Sequence, residues 1–159
     1  LTIGVVQLNG AVDGQGRPAE HVLRDAYLNA TFQSGLPSVL DDAIVAYAKA
    51  LGFSPPPATK IGEIPYDFVR KRLSVLIQAG GERRLITKGA LENVLAVCTR
   101  LQEGDRVLAL DDAQLAQLRQ RFVTWSTQGY RVLGVAAKSL TTNTHLSHAD
   151  ESELCFTGF

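Results

Sequence analysis

The sequence has no excess of charge of either sign, few cysteines and no long apolar run. Its 159 residues include sixteen Lys and Arg against sixteen Asp and Glu, which gives a formal net charge of zero. Proteins that bind nucleic acid through phosphate contacts are usually basic overall, so this balance argues against that class. Two cysteines, Cys98 and Cys155, make no disulfide framework and favour a reducing cytosol. No apolar run approaches the ~20 residues that span a bilayer, and residues 1–8 lack the basic start of a secretory signal.

Motifs for phosphate transfer, dinucleotide binding and metal binding are also missing or incomplete. No Walker A pattern is present, so no loop built to cradle a triphosphate is visible. Residues 14–19 match G-x-G-x-x-A, but several residues separate them from the predicted strand at 2–8 and no repeated βαβ pattern follows. They predict a flexible loop, with Pro18 in the first turn of the next helix. His145-x-x-His148 lacks a fourth ligand and a rigid helix, so a solvated loop is favoured over a metal site.

The strongest structural pattern is a β-hairpin between residues 72 and 87. Residues 72–78 alternate, with Leu73, Val75 and Ile77 on one face, which is the period-two pattern of a strand. Residues 79–82, Ala-Gly-Gly-Glu, interrupt the alternation, and the two glycines can adopt the positive φ of a tight turn. Residues 83–87 form the predicted partner strand.

The remaining elements predict an α/β (α+β) fold, with a mainly antiparallel twisted sheet flanked by helices, in one domain over residues 1–159. Cys98 lies on the apolar side of the third helix and is interpreted as a core residue. Gly129 stands where a left-handed helix stop is expected. Residues 53–62 contain three consecutive prolines and predict an extended surface loop. The predicted helices cover 19–33, 39–51, 91–100 and Asp111 or Asp112 to about 128, and the other predicted strands cover 2–8, 105–109, 130–139 and 154–159.

Two features of the sequence indicate a ligand-binding site. They are an aromatic and basic run at 66–72 and a Lys88-Gly89 pair at the end of the hairpin. Six of the sixteen basic residues lie between Arg70 and Lys88, with only Glu82 to oppose them. An aromatic ring can stack on a purine base while cations meet its phosphates. Gly89 has no Cβ and would let a ligand approach the backbone. The alternative is an edge hairpin whose charges keep it from aggregating.

Three motifs resemble those of P-type ATPase nucleotide-binding domains. IPYDFVRKRLSV resembles their P-F-D/N-S-E/D-R-K-R-M-S segment, and TKGALENVLAVCTR resembles K-G-A-x-E-x-[IVL]-L-x-x-C. The strand Gly-Tyr-Arg-Val-Leu-Gly-Val-Ala at 129–136 resembles G-[LY]-R-V-L-A-V-A. The motifs occur in the family's order across nearly all of the chain. Residues 21–48 and 63–75 look most like the bacterial magnesium-transporting P-type ATPases.

The resemblance implies an ATP site with roles for particular residues. Tyr66 would stack on adenine, with Phe68, two residues on, as the rival stacker. Lys71 would lie at the base or the α-phosphate. Asp41 matches a family Glu that hydrogen-bonds the adenine amino group, directly or, with the shorter side chain, through water. The other implied contacts are Lys88 and Gly89 at the pocket floor and Arg131 at the β-phosphate.

The resemblance also implies the setting of this domain. The phosphorylated Asp of the family belongs to a D-K-T-G-T-L-T motif, of which Leu1-Thr2 matches only the end. The chain is therefore expected to be a piece of a larger membrane pump on the cytoplasmic side of a bacterial inner membrane, without direct membrane contact. It would hold ATP, as Mg-ATP, as a monomer without catalytic residues of its own. It would present the γ-phosphate to a separate phosphorylation domain, with that domain and the actuator domain as partners.

Two other functions stay open at this level. A non-catalytic interaction module could turn the basic hairpin toward an acidic partner. A nucleic-acid binder would use the same patch and show strongly salt-dependent affinity, although the zero net charge argues against it.

Overall fold

A seven-stranded sheet runs through the computed structural model, which describes residues 7–35, 38–55, 57–141 and 146–159. The strand order is β1-β2-β3-β6-β7-β4-β5, and every neighbouring pair is antiparallel except β4 and β7. This confirms the predicted fold class. The helices are α1 Glu20–Phe32, α2 Val39–Ala50, α3 Leu91–Leu95 and α4 Asp112–Thr127, with a short 3-10 turn at His148–Asp150. The strands are β1 Thr59–Ile64, β2 Arg72–Ala79, β3 Glu82–Ala90, β4 Cys98–Glu103, β5 Arg106–Ala109, β6 Leu133–Ser139 and β7 Leu154–Gly158.

The predicted hairpin of β2 and β3 forms as expected and lies beside β6 inside the sheet. Gly80 and Gly81 take φ values of 58° and 81° at its turn. That left-handed region carries little strain for glycine but is costly for most other residues.

The alternation along β2 places apolar side chains on both faces of the sheet. Leu73, Val75 and Ile77 pack in one core with residues of α1 and α2. Leu76 lies on the other face, in a second core with residues of α3 and α4. Burying a side chain of this size contributes about 1.5–3 kcal/mol, so two covered faces make the hairpin the centre of the fold.

Local signals set the start of α2 and both ends of α4, and those of α4 were predicted. Ser38 caps α2, and its hydroxyl accepts a hydrogen bond from the Asp41 N–H. Asp111 caps α4 through a capping box with Gln114. Gly129 follows α4 with a φ of 91°, the left-handed stop that its position predicted.

The helix predicted over 91–100 is wrong in its second half. It ends at Leu95, and Cys98 begins strand β4, which pairs with β5 and, in parallel, with β7. The helical spacing of Leu91, Val94 and Leu95 is correct, but pairing with a strand more than fifty residues away overrides the pattern beyond them. Cys98 is half-buried and packs against the second core.

Four other predictions about the bounds of elements need correction. Residues 53–62 are not all loop, because Thr59–Ile64 forms an edge strand paired with β2. The strand predicted from Tyr130 begins only at Leu133, so Arg131 lies in the connection before β6. Pro18 precedes the helix and forms a bridge with Val12, outside the first turn of α1. Of the strand predicted over 2–8, residues 2–6 lie outside the described residues, and 7–8 are not strand.

Candidate functional site

A buried ion pair joins strand β3 to helix α2. Lys88 sits between Leu73 of β2 and Val135 of β6 in the sheet register. Its Nζ donates to Oδ1 of Asp41 at 2.5 Å, and the two side chains are only 5% and 7% exposed. Asp41 reaches this position because it lies in the first turn of α2, which packs on the same face of the sheet. The structure thus brings together two of the predicted site residues.

Lys88 also borders a cleft of about 750 Å³. Arg131 lies on its wall as well. Arg131 is exposed, and among the described residues its side chain has no ion-pair partner. The remaining wall comes from residues 7–12, the inner side of α2 and the connection 128–133, and it includes the rings of Tyr47, Trp125, Tyr130 and Phe159. The cleft therefore offers aromatic surface, one available guanidinium and Lys88, whose ammonium group is paired with Asp41 behind the wall.

Tyr66 and Phe68 form an exposed aromatic pair in the loop between β1 and β2. Their ring centroids are 5.8 Å apart with the planes at 85°, an edge-to-face contact. Tyr66 is 50% exposed and Phe68 86% exposed, so both offer surface to a ligand. Neither ring is part of the cleft wall. The structure therefore does not gather all of the predicted site residues around one cavity.

Lys71 ends this loop in an unusual backbone conformation beside Gly89. Its φ is 52°, a left-handed value that is uncommon for a residue with a side chain. Its carbonyl accepts a hydrogen bond from the N–H of Ala90 at 3.0 Å. A Cβ added to Gly89 would come within 2.3 Å of that carbonyl oxygen. Gly89 thus makes room for the chain's own backbone, while the predicted contact of Gly89 with a ligand stays a prediction.

The basic hairpin is largely neutralised by carboxylates from other parts of the chain. Within residues 70–88 the sequence offers only Glu82 to oppose these six basic residues, and the prediction that they lack other partners is wrong. Asp67 lies three residues before Arg70, whereas the other partners are distant along the chain and became visible only in the fold. The ion pairs are Arg70 with Asp67 and Glu151, Arg72 with Glu151, Arg84 with Asp25, and Lys88 with Asp41. Lys71 and Arg83 are the two of the six whose side chains have no carboxylate partner among the described residues.

Glu151 is the residue that sequence reasoning missed. Its carboxylate is fully buried and binds Arg70, Arg72 and Ser74. Burial alone would lower the pKa of the Arg70 guanidinium, but hydrogen bonds to Glu151 and Asp67 raise it above its ordinary value. A carboxylate just before the apolar strand β7 is the one weak signal in the sequence, and it does not identify the partners.

The cysteine thiols have the properties of core groups. Burial raises the pKa of the Cys98 thiol to about 12 and also raises the pKa of Cys155. Both thiols are therefore protonated near neutral pH and poorly nucleophilic.

The described ranges contain no group of three or more His, Cys, Asp or Glu side chains arranged to hold a metal ion. His145 of the rejected metal motif lies outside the described residues. Within the same ranges, no helix is both long enough and apolar enough to cross a bilayer.

Sequence comparison places the chain in a family. Residues 38–159 match the family described as P-type ATPase, cytoplasmic domain N, and the chain belongs to this family. It is 38% identical over 168 residues to a magnesium-transporting ATPase, P-type 1, of Salmonella typhimurium strain LT2, which covers 99% of this chain and 18% of that protein. It is 35% identical over 166 residues to the protein of the same name from Escherichia coli K12, covering 100% of this chain and 18% of the relative. These matches confirm the resemblance in both family and subgroup.

A more distant relative matches a smaller part of the chain. A calcium-transporting ATPase 2, endoplasmic reticulum-type, of Arabidopsis thaliana is 32% identical over 81 residues, half of this chain. The chain spans 18% of the length of the magnesium-transporting relatives named above.

Proposed function

We propose that this chain is the ATP-binding domain of a P-type cation pump, with magnesium as the transported ion. The observation that supports it best is the Lys88–Asp41 pair beside the cleft that Arg131 also borders. This pair joins the Lys-Gly-Ala motif to the first turn of α2, the two segments that the family resemblance assigns to one nucleotide site. The ion, the membrane and the other pump domains come from the named relatives and belong to the proposal.

In the proposed complex the adenine stacks on the exposed face of Tyr66. Base stacking on an aromatic ring contributes about 1–3 kcal/mol. Lys71, exposed and without a carboxylate partner among the described residues, meets the base or the α-phosphate. Arg131, similarly available, meets the β-phosphate. These contacts are few and partly solvated, so the expected Kd is in the sub-millimolar to millimolar range, about 4–5 kcal/mol of binding free energy.

Lys88 has a different part in the site. Because Asp41 already neutralises its ammonium group, Lys88 adds little net charge to attract phosphates. It contributes a fixed polar wall, and Asp41, at 5% exposure, would reach the adenine amino group only through water.

The chain holds and positions ATP, and other domains carry out phosphoryl transfer. Binding through the base and the first two phosphates leaves the γ-phosphate free for the phosphorylation domain of the pump. Catalysis then depends on positioning and on closure between domains. The Mg²⁺ of Mg-ATP would be carried by the phosphates, and the proposal assigns it no ligand from this chain.

The position of the aromatic pair leaves two possible places for the adenine, on Tyr66 or inside the cleft. Since Tyr66 and Phe68 lie outside the cleft wall, ATP must contact both surfaces, or its adenine must lie inside the cleft. A base inside the cleft would stack on Tyr47 or Tyr130.

Titration of the ¹⁵N-labelled chain with Mg-ATP up to about 10 mM, a range that covers the expected Kd, tests the proposal. Amide shifts at Tyr66, Lys71, Lys88 and Arg131 are expected. Shifts confined to the cleft would place the adenine there instead. No shift at millimolar ATP would contradict nucleotide binding and favour the interaction module, although the neutralised hairpin offers an acidic partner little net charge.

A second titration tests the phosphate contact of Arg131. Arg131→Ala should weaken the binding of ATP and ADP several-fold. The affinity for AMP should be unchanged, because AMP lacks the β-phosphate. Arg106→Ala, an exposed arginine on the edge strand β5, is the matched control and should change none of the three. If the affinity for AMP falls equally, Arg131 contacts a part of the nucleotide other than the β-phosphate.

A further inference from the structure

We infer that Glu151 is a positioning residue for the nucleotide site, because it fixes the loop 65–71 that carries Tyr66 and Lys71. This inference rests on the proposed function. Glu151 itself is buried, at 3% exposure, and acts on the ligand only through the loop.

Glu151 holds the loop through two arginines. Arg70 Nε donates to its Oε1 at 2.9 Å and Arg70 Nη2 to its Oε2 at 2.8 Å, a two-point contact. Arg72 Nε donates to Oε1 at 3.1 Å. Ser74 donates its hydroxyl proton to Oε2 and lies 2.6 Å from the hydroxyl of Thr87. One carboxylate thus links the loop, β2 and β3.

Arg70 passes this restraint on to the loop. Its Nη1 donates to the carbonyl of Pro65 at 3.0 Å, next to Tyr66. The same nitrogen contacts the Asp67 carboxylate, and Asp67 in turn accepts the N–H groups of Val69 and Arg70. The guanidinium therefore ties both ends of the 65–70 turn to a buried point. Without Glu151, the Nε and Nη2 groups of Arg70 would lose their carboxylate partner.

The two arginines also determine what is left for a ligand. Lys71 lies between them with its φ of 52° and its carbonyl bound to Ala90. Because Arg70 and Arg72 are both occupied by Glu151, Lys71 is the cation of this run that remains available to an anion. A carboxylate suits this position because it accepts charge-assisted hydrogen bonds from two guanidinium groups at once.

The test compares two buried carboxylates of the same chain. Glu151→Gln keeps the size of the side chain but removes its charge, and it should raise the Kd for Mg-ATP about three- to tenfold, as expected if stacking on Tyr66 is partly lost. Asp25→Asn is the matched control, because Asp25 is equally buried and pairs with Arg84 on β3, away from the loop. It should leave the Kd unchanged. Thermal unfolding and ¹⁵N spectra confirm that both variants are folded.

A double-mutant cycle separates positioning from general destabilisation. In a Tyr66→Ala background, Glu151→Gln should cost less affinity than in the wild type, because the stacking it supports is already absent. Full additivity in this background and in a Lys71→Ala background would mean that Glu151 acts through neither residue and would overturn the inference. If Glu151→Gln does not fold, Arg70→Lys replaces it, since lysine keeps the charge but cannot make the two-point contact.

The outcomes distinguish the two proposals. If the wild-type chain does not bind Mg-ATP, the proposed function fails. If the wild type binds and Tyr66→Ala weakens binding, but Glu151→Gln or Arg70→Lys leaves the Kd unchanged, the proposed function stands and only the role of Glu151 is overturned.

Discussion

Lys88 Nζ lies 2.5 Å from Asp41 Oδ1 and joins the central hairpin to the start of α2 inside the fold. The partners are 47 positions apart in the sequence, so the contact forms only when α2 packs on the sheet. The pair therefore supports the fold, and its Lys88 borders the candidate nucleotide site.

Removing one partner of this ion pair should be strongly destabilising. Asp41→Asn leaves the Lys88 charge buried without a counterion, and such changes typically cost about 3–5 kcal/mol. Asp42→Asn is the control, because Asp42 is an exposed carboxylate in the same helix turn, and it should cost less than about 1 kcal/mol. Urea unfolding followed by circular dichroism measures both. Equal losses would show that the pair adds nothing beyond its contribution at the helix end.

Replacement of Gly89 by alanine should destabilise the chain by about 1–3 kcal/mol, the usual range for forcing atoms into a packed site. The new Cβ would lie 2.3 Å from the Lys71 carbonyl oxygen and 2.6 Å from the Arg72 Cα, both backbone atoms with little freedom to move. Gly10→Ala is the control, since a Cβ there meets nothing within 4 Å. Denaturation midpoints decide the matter. A neutral Gly89→Ala variant would contradict the close approach.

Substitution of the aromatic pair should identify the residue that stacks on the base. Tyr66→Ala should raise the Kd for Mg-ATP about fivefold or more, as expected for the loss of one base–aromatic contact. Phe68→Ala should have a smaller effect, because in the proposed complex its ring supports Tyr66 edge-on and does not carry the base. Isothermal titration calorimetry or NMR measures both. A larger effect at Phe68 would make it the stacking residue.

Protonation of Asp67 should loosen the loop 65–71 at low pH. Hydrogen bonds from the backbone N–H and the guanidinium of Arg70 lower the pKa of Asp67 below its ordinary value of 3.8. With a lowered folded-state pKa, the stabilisation is complete above the unfolded-state value and is lost as the pH falls through the folded-state value.

The unfolding free energies of the wild type and Asp67→Asn give the measurement. Their difference should be constant near neutral pH and shrink below pH 3.8. An NMR titration that finds the pKa of Asp67 at or above its ordinary value would contradict the contact with Arg70.

Local patterns predicted most of the fold, because local forces determine those features. The alternation around Val75, the glycine turn at Gly80 and the cap at Asp111 each depend on a few neighbouring residues, and all three are confirmed. The end of α3 depends instead on pairing between Cys98 and Leu154. The β5 partner of β4 lies nearby in the sequence, but a window around α3 does not contain Leu154.

The residues of the candidate site also fall into those that local motifs reveal and those that only the fold reveals. Motif resemblance named Lys88 and Asp41, and the fold brings them into contact. Resemblance did not reveal Glu151, whose role depends on its contact with Arg70, 81 positions earlier. The ligand contacts of Tyr66 and Arg131 stay predictions, since they require ATP.

The internal pairing of the basic residues at 70–88 affects how nucleotide binding should depend on ionic strength. Four of its six basic residues are already matched by carboxylates, so the surface projects a weaker long-range field than its composition suggests. Nucleotide capture should then depend on short-range contact more than on electrostatic steering. Added salt, which shortens the Debye length from about 10 Å at 0.1 M to about 3 Å at 1 M, should reduce the association rate only modestly.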